Sequence, residues 1–245
     1  MRRRFAWALQ TTARYLKNPG LFRLRARGVL PGLFERLDCP WFHSLNLETI
    51  LDIGAYVGRY TETFHALWPH VKIYSFEPLL DCFQKLEQRA NRIPHLTALN
   101  YGLSDEAGEQ TLQRHEFVPS SSLLKMTSIH RGAFPHTSES QPVTIRMERL
   151  DGVAESFQLT LPMLVKIDVQ GFEDQVLNGG ENTIRKASAI IIETSFVTLY
   201  EGQPLFRDIH RQLTGWGFLY SGSVAQLRSE TSGEILQEDS LFLRS

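Results

Sequence analysis

Two short segments combine glycine and carboxylate side chains in a spacing that fits nucleoside recognition. In the first, Asp52 is followed by Gly54 and Gly58, and glycines there let the backbone turn and approach a ligand closely. In the second, Glu77 follows about 20 residues after the turn, where an acidic side chain accepts hydrogen bonds from ribose hydroxyls. Together the two segments predict a site for a cofactor that carries a nucleoside.

The residues around the two glycines narrow the choice of cofactor. A dinucleotide fingerprint has a middle glycine so that the backbone can meet a pyrophosphate, and here that position is Tyr56. Arg59 and Tyr60 follow Gly58, so the lysine and hydroxyl residue of a phosphate-binding loop are absent. S-adenosylmethionine has no phosphate, so the turn and Glu77 favour it over NAD. A glycine turn by itself also serves backbone geometry alone.

Five blocks in a fixed order carry a family resemblance. In chain order they are 52–61, 76–78, 100–105, 120–124 and 166–173. With these blocks the chain resembles FkbM-type S-adenosylmethionine-dependent methyltransferases over about residues 48–200. Two departures are visible, since Tyr56 stands where the family usually has asparagine and Gln170 where it often has glutamate.

The resemblance implies a fold, a reaction and a set of cofactor contacts. The fold is the Rossmann-like class I methyltransferase fold, and the reaction is methyl transfer to a hydroxyl oxygen of a sugar, glycolipid or polyketide. The cofactor-binding residues it indicates, together with those derived above, are Asp52, Gly54, Ala55, Tyr56, Gly58, Tyr60, Thr61, Phe76, Glu77, Pro78, Asn100, Tyr101, Gly102, Ser104 and Asp168. Residues 120–122 are expected to form a lid, with a plain polar loop as the alternative.

Three acids are candidates for a catalytic base, because a neutral alcohol is a poor nucleophile. Asp168 ends a predicted strand, Glu173 comes at a helix start, and Glu193 ends the next strand. Each has a structural alternative: Asp168 as a loop cap, Glu173 as a favourable charge at a helix N-terminus, and Glu193 as a paired buried acid. Lys166 lies within an apolar strand and is expected to pair with an acid.

The elements that must hold these residues alternate between strands and helices. Strands are predicted at 50–53, 71–76, 96–100, 163–168, 189–193, 218–221 and 240–244, and helices at 60–67, 79–92, 172–186 and 205–216. Near-continuous apolar strands alternating with helices are typical of a mostly parallel, doubly wound α/β sheet. Ligands bind outside the carboxyl ends of such strands, which is where the candidate residues fall.

A polar stretch interrupts this alternation. Residues 105–150 contain β-like pieces at 110–113 and 143–147, separated by a segment rich in serine, histidine and proline. This pattern predicts a β-hairpin insertion with a long loop. We therefore divide the chain into a basic helical N-terminal arm, 1–46, and a methyltransferase domain, 47–245, that contains the insertion.

The net charge of −1 over 245 residues hides an asymmetry. Residues 1–30 contain eight basic and no acidic residues, which leaves 18 basic and 27 acidic residues for the rest. The arm is then either an amphipathic helix with a solvated basic face, or a contact for anionic lipid headgroups or an anionic substrate. Two cysteines and no long apolar run favour a cytoplasmic protein, with peripheral membrane contact left open.

Other classes of function remain as alternatives. An NAD-dependent oxidoreductase would use a similar sheet, and a non-catalytic module would lack a glycine or the ribose acid. Amino-methylating nucleic-acid enzymes usually carry Asp/Asn-Pro-Pro-Tyr/Phe where this chain has Asp168-Val169-Gln170-Gly171, and an acidic body disfavours a phosphate backbone. The eight histidines show no metal-ligand spacing, so no metal site is predicted, although His130 and His136 lie in the insertion as acceptor-site candidates.

Overall fold

The structure is a computed structural model that describes residues 15–16, 18–115, 121–133, 140–229 and 232–245. Its strands are β1 (Thr49–Ile53), β2 (Lys72–Phe76), β3 (Leu96–Leu99), β4 (Gly102–Leu103), β5 (Gly108–His115), β6 (Ser140–Glu148), β7 (Met163–Ile167), β8 (Ala189–Ser195), β9 (Phe218–Arg228) and β10 (Ile235–Arg244). Its helices are α1 (Gly20–Ala26), α2 (Pro31–Leu37), α3 (Pro40–His43), α4 (Arg59–Leu67), α5 (Leu80–Ala90), α6 (Ser128–Ala133), α7 (Leu150–Val153), α8 (Glu173–Gly179), α9 (Glu181–Ile184) and α10 (Phe206–Gly215).

Seven of these strands form a central sheet with the order β3-β2-β1-β7-β8-β10-β9. Neighbours pair in parallel except at β10, which runs antiparallel to both β8 and β9. β1 lies between β2 and β7, and all five of its residues are in register with both neighbours. The predicted mostly parallel sheet is confirmed, and the carboxyl ends of β1, β2 and β7 meet at one edge.

Helices cover both faces of this sheet, because each face of a buried parallel sheet is apolar. On one face Leu51 and Ile53 of β1 belong to a core that includes Val176 of α8 and Leu213 of α10. On the other face Ile50 packs in a second core whose members include Leu33, Leu37 and Phe42 from the N-terminal helices and Phe64 and Leu67 from α4. The strand alternation thus assigns even and odd residues of β1 to opposite helical layers.

The last two strands are longer than predicted. The expected segments 218–221 and 240–244 extend to β9 and β10, which pair at nine positions with register shifts. The polar residues of β9 face solvent at the sheet edge, so they lack the apolar pattern by which the sequence identifies a strand. The helix predicted over 172–186 is divided at Gly180 into α8 and α9.

The predicted hairpin insertion is also confirmed. β5 and β6 pair antiparallel from Gly108↔Met147 to His115↔Ser140, and β4 adds to β6 in parallel. These three strands form a separate sheet whose apolar side chains Leu112, Ile145 and Met147 pack with Leu79 and Cys82 of the main domain. The insertion therefore lies against the carboxyl edge of the central sheet.

Of the predicted basic arm, residues 1–14 and 17 lie outside the described residues. In the described part, α1 keeps Leu21 buried, and α2 and α3 pack into the core of the domain. The division at residue 46 stays a proposal. Within the described ranges, no helix combines the length and the apolar composition needed to cross a membrane.

At Gly179 the end of α8 packs closely against the backbone of the residue that follows β4. A Cβ on Gly179 would lie 1.9 Å from the carbonyl oxygen of Ser104, so a side chain there forces backbone to move. We expect Gly179→Ala to lower the free energy of unfolding by about 1–3 kcal/mol, the usual range for overpacking. Urea denaturation followed by circular dichroism measures this value.

Gly215 provides the matched control, since it is also the last residue of its helix and a Cβ there meets nothing within 4 Å. Gly215→Ala should leave stability unchanged or raise it by up to about 1 kcal/mol. Equal effects of the two substitutions would contradict the close contact.

Candidate active site

A cavity of about 280 Å³ opens at the carboxyl ends of β1, β2 and β7. The predicted site residues that line it are Gly54, Ala55, Tyr56, Tyr60, Phe76, Glu77, Pro78, Gly102 and Asp168. The predicted residues that do not line it are Asp52, Gly58, Thr61, Asn100, Tyr101, Ser104, Glu173 and Glu193. The structure thus brings the glycine turn, the acid after β2 and the acid after β7 together around one space.

The other wall of the cavity is apolar and was not predicted. Leu112, Ile145 and Met147 contribute from the three-stranded sheet, and Leu30 contributes from the segment between α1 and α2. The alternation in β5 and β6 places these three side chains on one face, but the sequence does not reveal what that face covers. The cavity is therefore a polar edge of the main sheet closed by an apolar cover from the insertion.

The glycine turn ties three strand ends together. Gly54 has a φ of +77°, and a Cβ there would lie 1.9 Å from the carbonyl oxygen of Asp168. The N–H groups of Gly54 and Ala55 donate to the carbonyl of Phe76 at 3.1 and 2.9 Å. Gly58, with a φ of +80°, instead leaves room for the Leu86 side chain of α5, so its role is helix packing.

Glu77 holds the turn and faces the cavity. One carboxylate oxygen accepts the N–H of Tyr56 at 2.9 Å, and the other accepts the N–H of Leu79 at 2.9 Å. Burial raises the pKa of this carboxyl to about 7, although the two N–H groups act in the opposite direction. Each oxygen keeps a further lone pair, so Glu77 can hold its loop and accept hydroxyl groups of a ligand.

Two predicted residues support Glu77 and the turn. The side-chain amide of Asn100 donates to the carbonyls of Glu77 and Pro78 at 3.0 and 3.1 Å. Tyr56 has a φ of +52°, a conformation that non-glycine residues rarely adopt, and its bond to Glu77 stabilises it. Asn100 thus acts on the Glu77–Pro78 backbone.

A buried lysine, Lys166, is part of the cavity lining. The Lys166 ammonium is 3.5 Å from a carboxylate oxygen of Asp52 and 3.5 Å from one of Asp168, and it donates to the carbonyl of Gly54 at 3.1 Å. Burial lowers the pKa of Lys166, but the charges of Asp168, Asp52 and Asp239 outweigh it, so the pKa is raised. The predicted pairing of this lysine with an acid is present, and the ammonium stays charged.

Asp52 and Thr61 are buried below the turn. The Thr61 hydroxyl donates to Asp52 at 2.7 Å and lies 3.0 Å from the hydroxyl of Ser75. The other oxygen of Asp52 has Lys166 as its near neighbour and no hydrogen bond within the described residues. Both predicted cofactor contacts therefore belong to the support of the turn.

Glu173 lies outside the cavity and binds its own loop. One oxygen of its carboxylate accepts the N–H groups of Val169 and Gly171 at 3.1 and 3.2 Å. Burial raises the pKa of Glu173 to about 7, with the backbone N–H groups opposing it. These contacts fit the structural alternative, in which Glu173 positions the segment between β7 and α8 that carries Asp168.

Asp168 and Glu193 differ in access. The Asp168 side chain is 28% exposed and lines the cavity. The Glu193 carboxylate accepts the side-chain amides of Gln170 and Gln237 at 3.0 and 2.9 Å, and burial raises its pKa well above the ordinary value. Of the three candidate bases, Asp168 is the one that reaches the cavity.

Several polar residues around this site were not predicted as functional. The Tyr60 hydroxyl donates to Asp239, a residue of β10 that is in register with Glu193. The Tyr200 hydroxyl donates to the side chain of Gln170 at 3.0 Å. Tyr200 comes 27 residues and Asp239 66 residues after the last motif block, and the pairing of β8 with β10 brings Asp239 near the site.

The predicted lid and histidines have mixed outcomes. Ser121 lines the cavity, the Ser122 hydroxyl donates to the Gln170 carbonyl at 2.6 Å, and Ser120 lies outside the described residues. His130 is buried with its ring 5.1 Å from the Tyr200 ring, away from the cavity lining, and His136 lies outside the described residues. In the described ranges, no three His, Cys, Asp or Glu side chains are arranged to hold a metal ion.

The strand order, the glycine turn and the acids at the sheet edge define a class I methyltransferase fold. The chain belongs to the family described as methyltransferase FkbM domain, which matches residues 52–220. The predicted family resemblance is confirmed. The family match spans β1 through the start of β9, so it contains every predicted site residue.

Named relatives extend the comparison. The chain is 27% identical over 198 residues to the 2-O-methyltransferase NoeI of Sinorhizobium fredii, covering 76% of this chain and 77% of that protein. It is 29% identical over 149 residues to the hexuronic acid methyltransferase AglP of Haloferax volcanii, covering 60% of this chain and 55% of that protein. The crystal structure of methyltransferase FkbM from Methylobacillus flagellatus KT has a TM-score of 0.52 at 13% identity, covering 81% of this chain and 44% of that one. The similarity to this crystal structure shows a shared fold.

The buried acids predict how stability depends on pH. The pKa of the Glu173 carboxyl in the folded state, about 7, lies above its value in the unfolded chain. Such a carboxyl stabilises the fold at low pH, and this stabilisation is lost as the pH rises through 7. We expect Glu173→Gln, which keeps the acceptor oxygen, to reduce the loss of unfolding free energy between pH 5 and pH 8 by about 1 kcal/mol or more. Urea denaturation at both pH values measures the difference.

Glu181→Gln is the control, because Glu181 is an exposed glutamate paired with Arg185 at the surface. Its pH dependence should match that of the unmodified protein. If the pH dependence of Glu173→Gln also matched that of the unmodified protein, the buried Glu173 carboxyl would not be the cause of that dependence.

Proposed function

We propose that this chain is an S-adenosylmethionine-dependent O-methyltransferase that acts on a hydroxyl group of a sugar or glycan. The observation that carries the proposal is the Glu77 carboxylate, held by the glycine turn at the wall of the cavity, in a chain of the methyltransferase FkbM family. A carboxylate in this position accepts both hydroxyls of a ribose. The turn with Tyr56 at its centre has no glycine for a pyrophosphate, which argues against NAD.

The chemistry of the cavity lining fits the cofactor. Phe76, Leu103 and Met147 offer apolar surface for an adenine ring, and Glu77 offers acceptors for the ribose hydroxyls. The Asp168 carboxylate provides a counter-charge for an ammonium group such as that of the methionine end. S-adenosylmethionine bound there supplies an electrophilic methyl carbon.

In this proposal Asp168 acts on the acceptor. Its carboxylate accepts the proton of the acceptor hydroxyl while the oxygen forms a bond to the methyl carbon, and the electron pair of the broken carbon–sulfur bond stays on sulfur. Lys166, 3.5 Å from Asp168, balances the negative charge of the carboxylates at this edge. The insertion excludes water on the opposite side with Leu112, Ile145 and Met147.

The acceptor class rests on the relatives. NoeI is named a 2-O-methyltransferase and AglP a hexuronic acid methyltransferase. The first name gives an oxygen as the acceptor atom and the second gives a sugar acid as the substrate, so together they support a sugar hydroxyl as the acceptor of this chain. Methyl transfer from labelled S-adenosylmethionine to a panel of neutral and acidic sugars tests this, and transfer to nucleic acid alone would overturn it.

The binding site for the cofactor is tested at Glu77. We expect Glu77→Ala to weaken the binding of S-adenosylhomocysteine by about 1–3 kcal/mol, the cost of losing hydrogen bonds to a charged group. Isothermal titration calorimetry at pH 8 measures the dissociation constant.

Asp81→Ala serves as the control, because Asp81 lies four residues later and pairs with Arg114 rather than lining the cavity. Its dissociation constant should stay within twofold of that of the unmodified protein. Absence of S-adenosylhomocysteine binding by the unmodified protein would defeat the proposed function itself.

We further propose that the basic N-terminal region contacts an anionic membrane surface. In the described part, Arg25, Arg27, Lys85 and Arg92 surround a groove between α1, α4 and α5 whose single acid, Glu62, pairs with Arg89 at 2.7 Å. Phe22 on α1 is 67% exposed and Leu16 is 77% exposed. Exposed apolar side chains beside cations are the combination that binds an anionic lipid surface.

Charge reversal in the groove tests this contact. We expect Lys85→Glu with Arg92→Glu to weaken binding to vesicles of phosphatidylcholine and phosphatidylglycerol by tenfold or more, since each basic residue contributes about 1 kcal/mol near such a surface. Co-sedimentation measures the binding.

The matched control is Lys186→Glu with Arg207→Glu, which changes the net charge equally on exposed residues at the opposite face of the sheet. It should bind the vesicles as the unmodified protein does. Equal binding to pure phosphatidylcholine, or equal loss in both double variants, would contradict the proposed surface.

A further inference from the structure

Gln170 lies at the centre of the polar contacts around Asp168. Its amide nitrogen is 2.8 Å from a carboxylate oxygen of Asp168 and 3.0 Å from one of Glu193, and its amide oxygen accepts the Tyr200 hydroxyl at 3.0 Å. A primary amide has two N–H groups and a carbonyl oxygen. Each of its N–H groups therefore has one carboxylate to bind, and its oxygen has one donor.

The backbone at Gln170 is held in an unusual conformation. Its φ is +56°, in the left-handed region that non-glycine residues rarely adopt. The Ser122 hydroxyl of the insertion donates to the Gln170 carbonyl at 2.6 Å, and the Glu173 carboxylate accepts the N–H groups on either side, of Val169 and Gly171. Such a conformation persists when its surroundings stabilise it, and it is frequent at functional sites.

We propose that Gln170 is a positioning residue, whose amide bridges the carboxylates of Asp168 and Glu193 and so fixes the direction in which Asp168 faces the acceptor hydroxyl. The proposal rests on the proposed function, in which Asp168 is the base. Gln170 holds one oxygen of Asp168, and Lys166 lies 3.5 Å from the other. The plane of the carboxylate is then fixed at two points, with free lone pairs left for the cavity.

In this chain an amide at position 170 makes contacts that a carboxylate would not make. The charged and titratable groups around it are Asp168 and Lys166 on or after β7, Glu173 at α8, Glu193 on β8, Tyr200 in the following loop and Asp239 on β10. A glutamate at 170 would add an acceptor-only group between two carboxylates. With a proton it would have one O–H donor, so it would keep one of the two contacts and lose the other, and it would bind that proton in competition with Asp168.

The test compares Gln170→Glu and Gln170→Met in methyl transfer measured from pH 6 to pH 9. We expect Gln170→Glu to move the acidic limb of the kcat profile to higher pH by about one unit or more, with activity recovering at high pH. We expect Gln170→Met to lower kcat by about 10- to 100-fold at every pH, part of what a positioned base contributes, with the KM for S-adenosylmethionine within threefold.

Gln237→Met is the matched control, because Gln237 donates to Glu193 at 2.9 Å and makes no contact with Asp168. Its kcat should stay within threefold of the unmodified value. If Gln170→Met kept its kcat, or if the Gln170→Glu profile overlaid the unmodified one, the proposal would be wrong.

Two further measurements distinguish a failure of the Gln170 proposal from a failure of the proposed function and from misfolding of the variants. S-adenosylhomocysteine binding by the unmodified protein tests the proposed function independently of Gln170. If both Gln170 variants fail to fold, as judged by circular dichroism, Tyr200→Phe replaces them, since it removes the hydroxyl that holds the amide oxygen. A lower kcat with an unchanged KM for Tyr200→Phe supports the proposal, and an unchanged kcat overturns it.

Discussion

The charge of Lys166 is the constraint on which the edge of the sheet depends. Its ammonium is buried at the centre of the sheet beside the carboxylates of Asp52 and Asp168, and removing the cation from such a buried ion pair strongly destabilises a fold. The same ammonium binds the Gly54 carbonyl, which joins the charge balance to the geometry of the turn. The acid that faces the cavity and the turn that shapes the cavity therefore share one support.

Two buried carboxylates, those of Glu77 and Glu173, also stabilise loops of the site. Glu77 binds one backbone N–H group of the glycine turn and one of the segment after β2, and Glu173 binds two of the segment between β7 and α8. Burial raises the pKa of both to about 7, so these loops are sensitive to pH near neutrality. Glu77 also lines the cavity and Glu173 does not, and this difference separates a ligand-binding role from a positioning role.

The insertion converts an open sheet edge into a cavity. Its apolar face covers the polar edge, and Ser122 connects it to the loop that carries Gln170. Function in a widely shared fold resides in such added sites and not in the sheet itself. Gln170 therefore contacts both the insertion, through Ser122, and the proposed base, Asp168.

The sequence by itself determined the parallel sheet, the hairpin, the glycine turn and the acid at position 77, because periodicity, glycine and spacing are local properties of the chain. Only the tertiary structure decided which acids reach the cavity. Asp52, Glu173 and Glu193 lie near strand ends as Asp168 does, yet their carboxylates bind Thr61, a loop backbone and two glutamines. The direction of a side chain and the approach of β10 and the insertion depend on pairing between distant segments, which no local pattern contains.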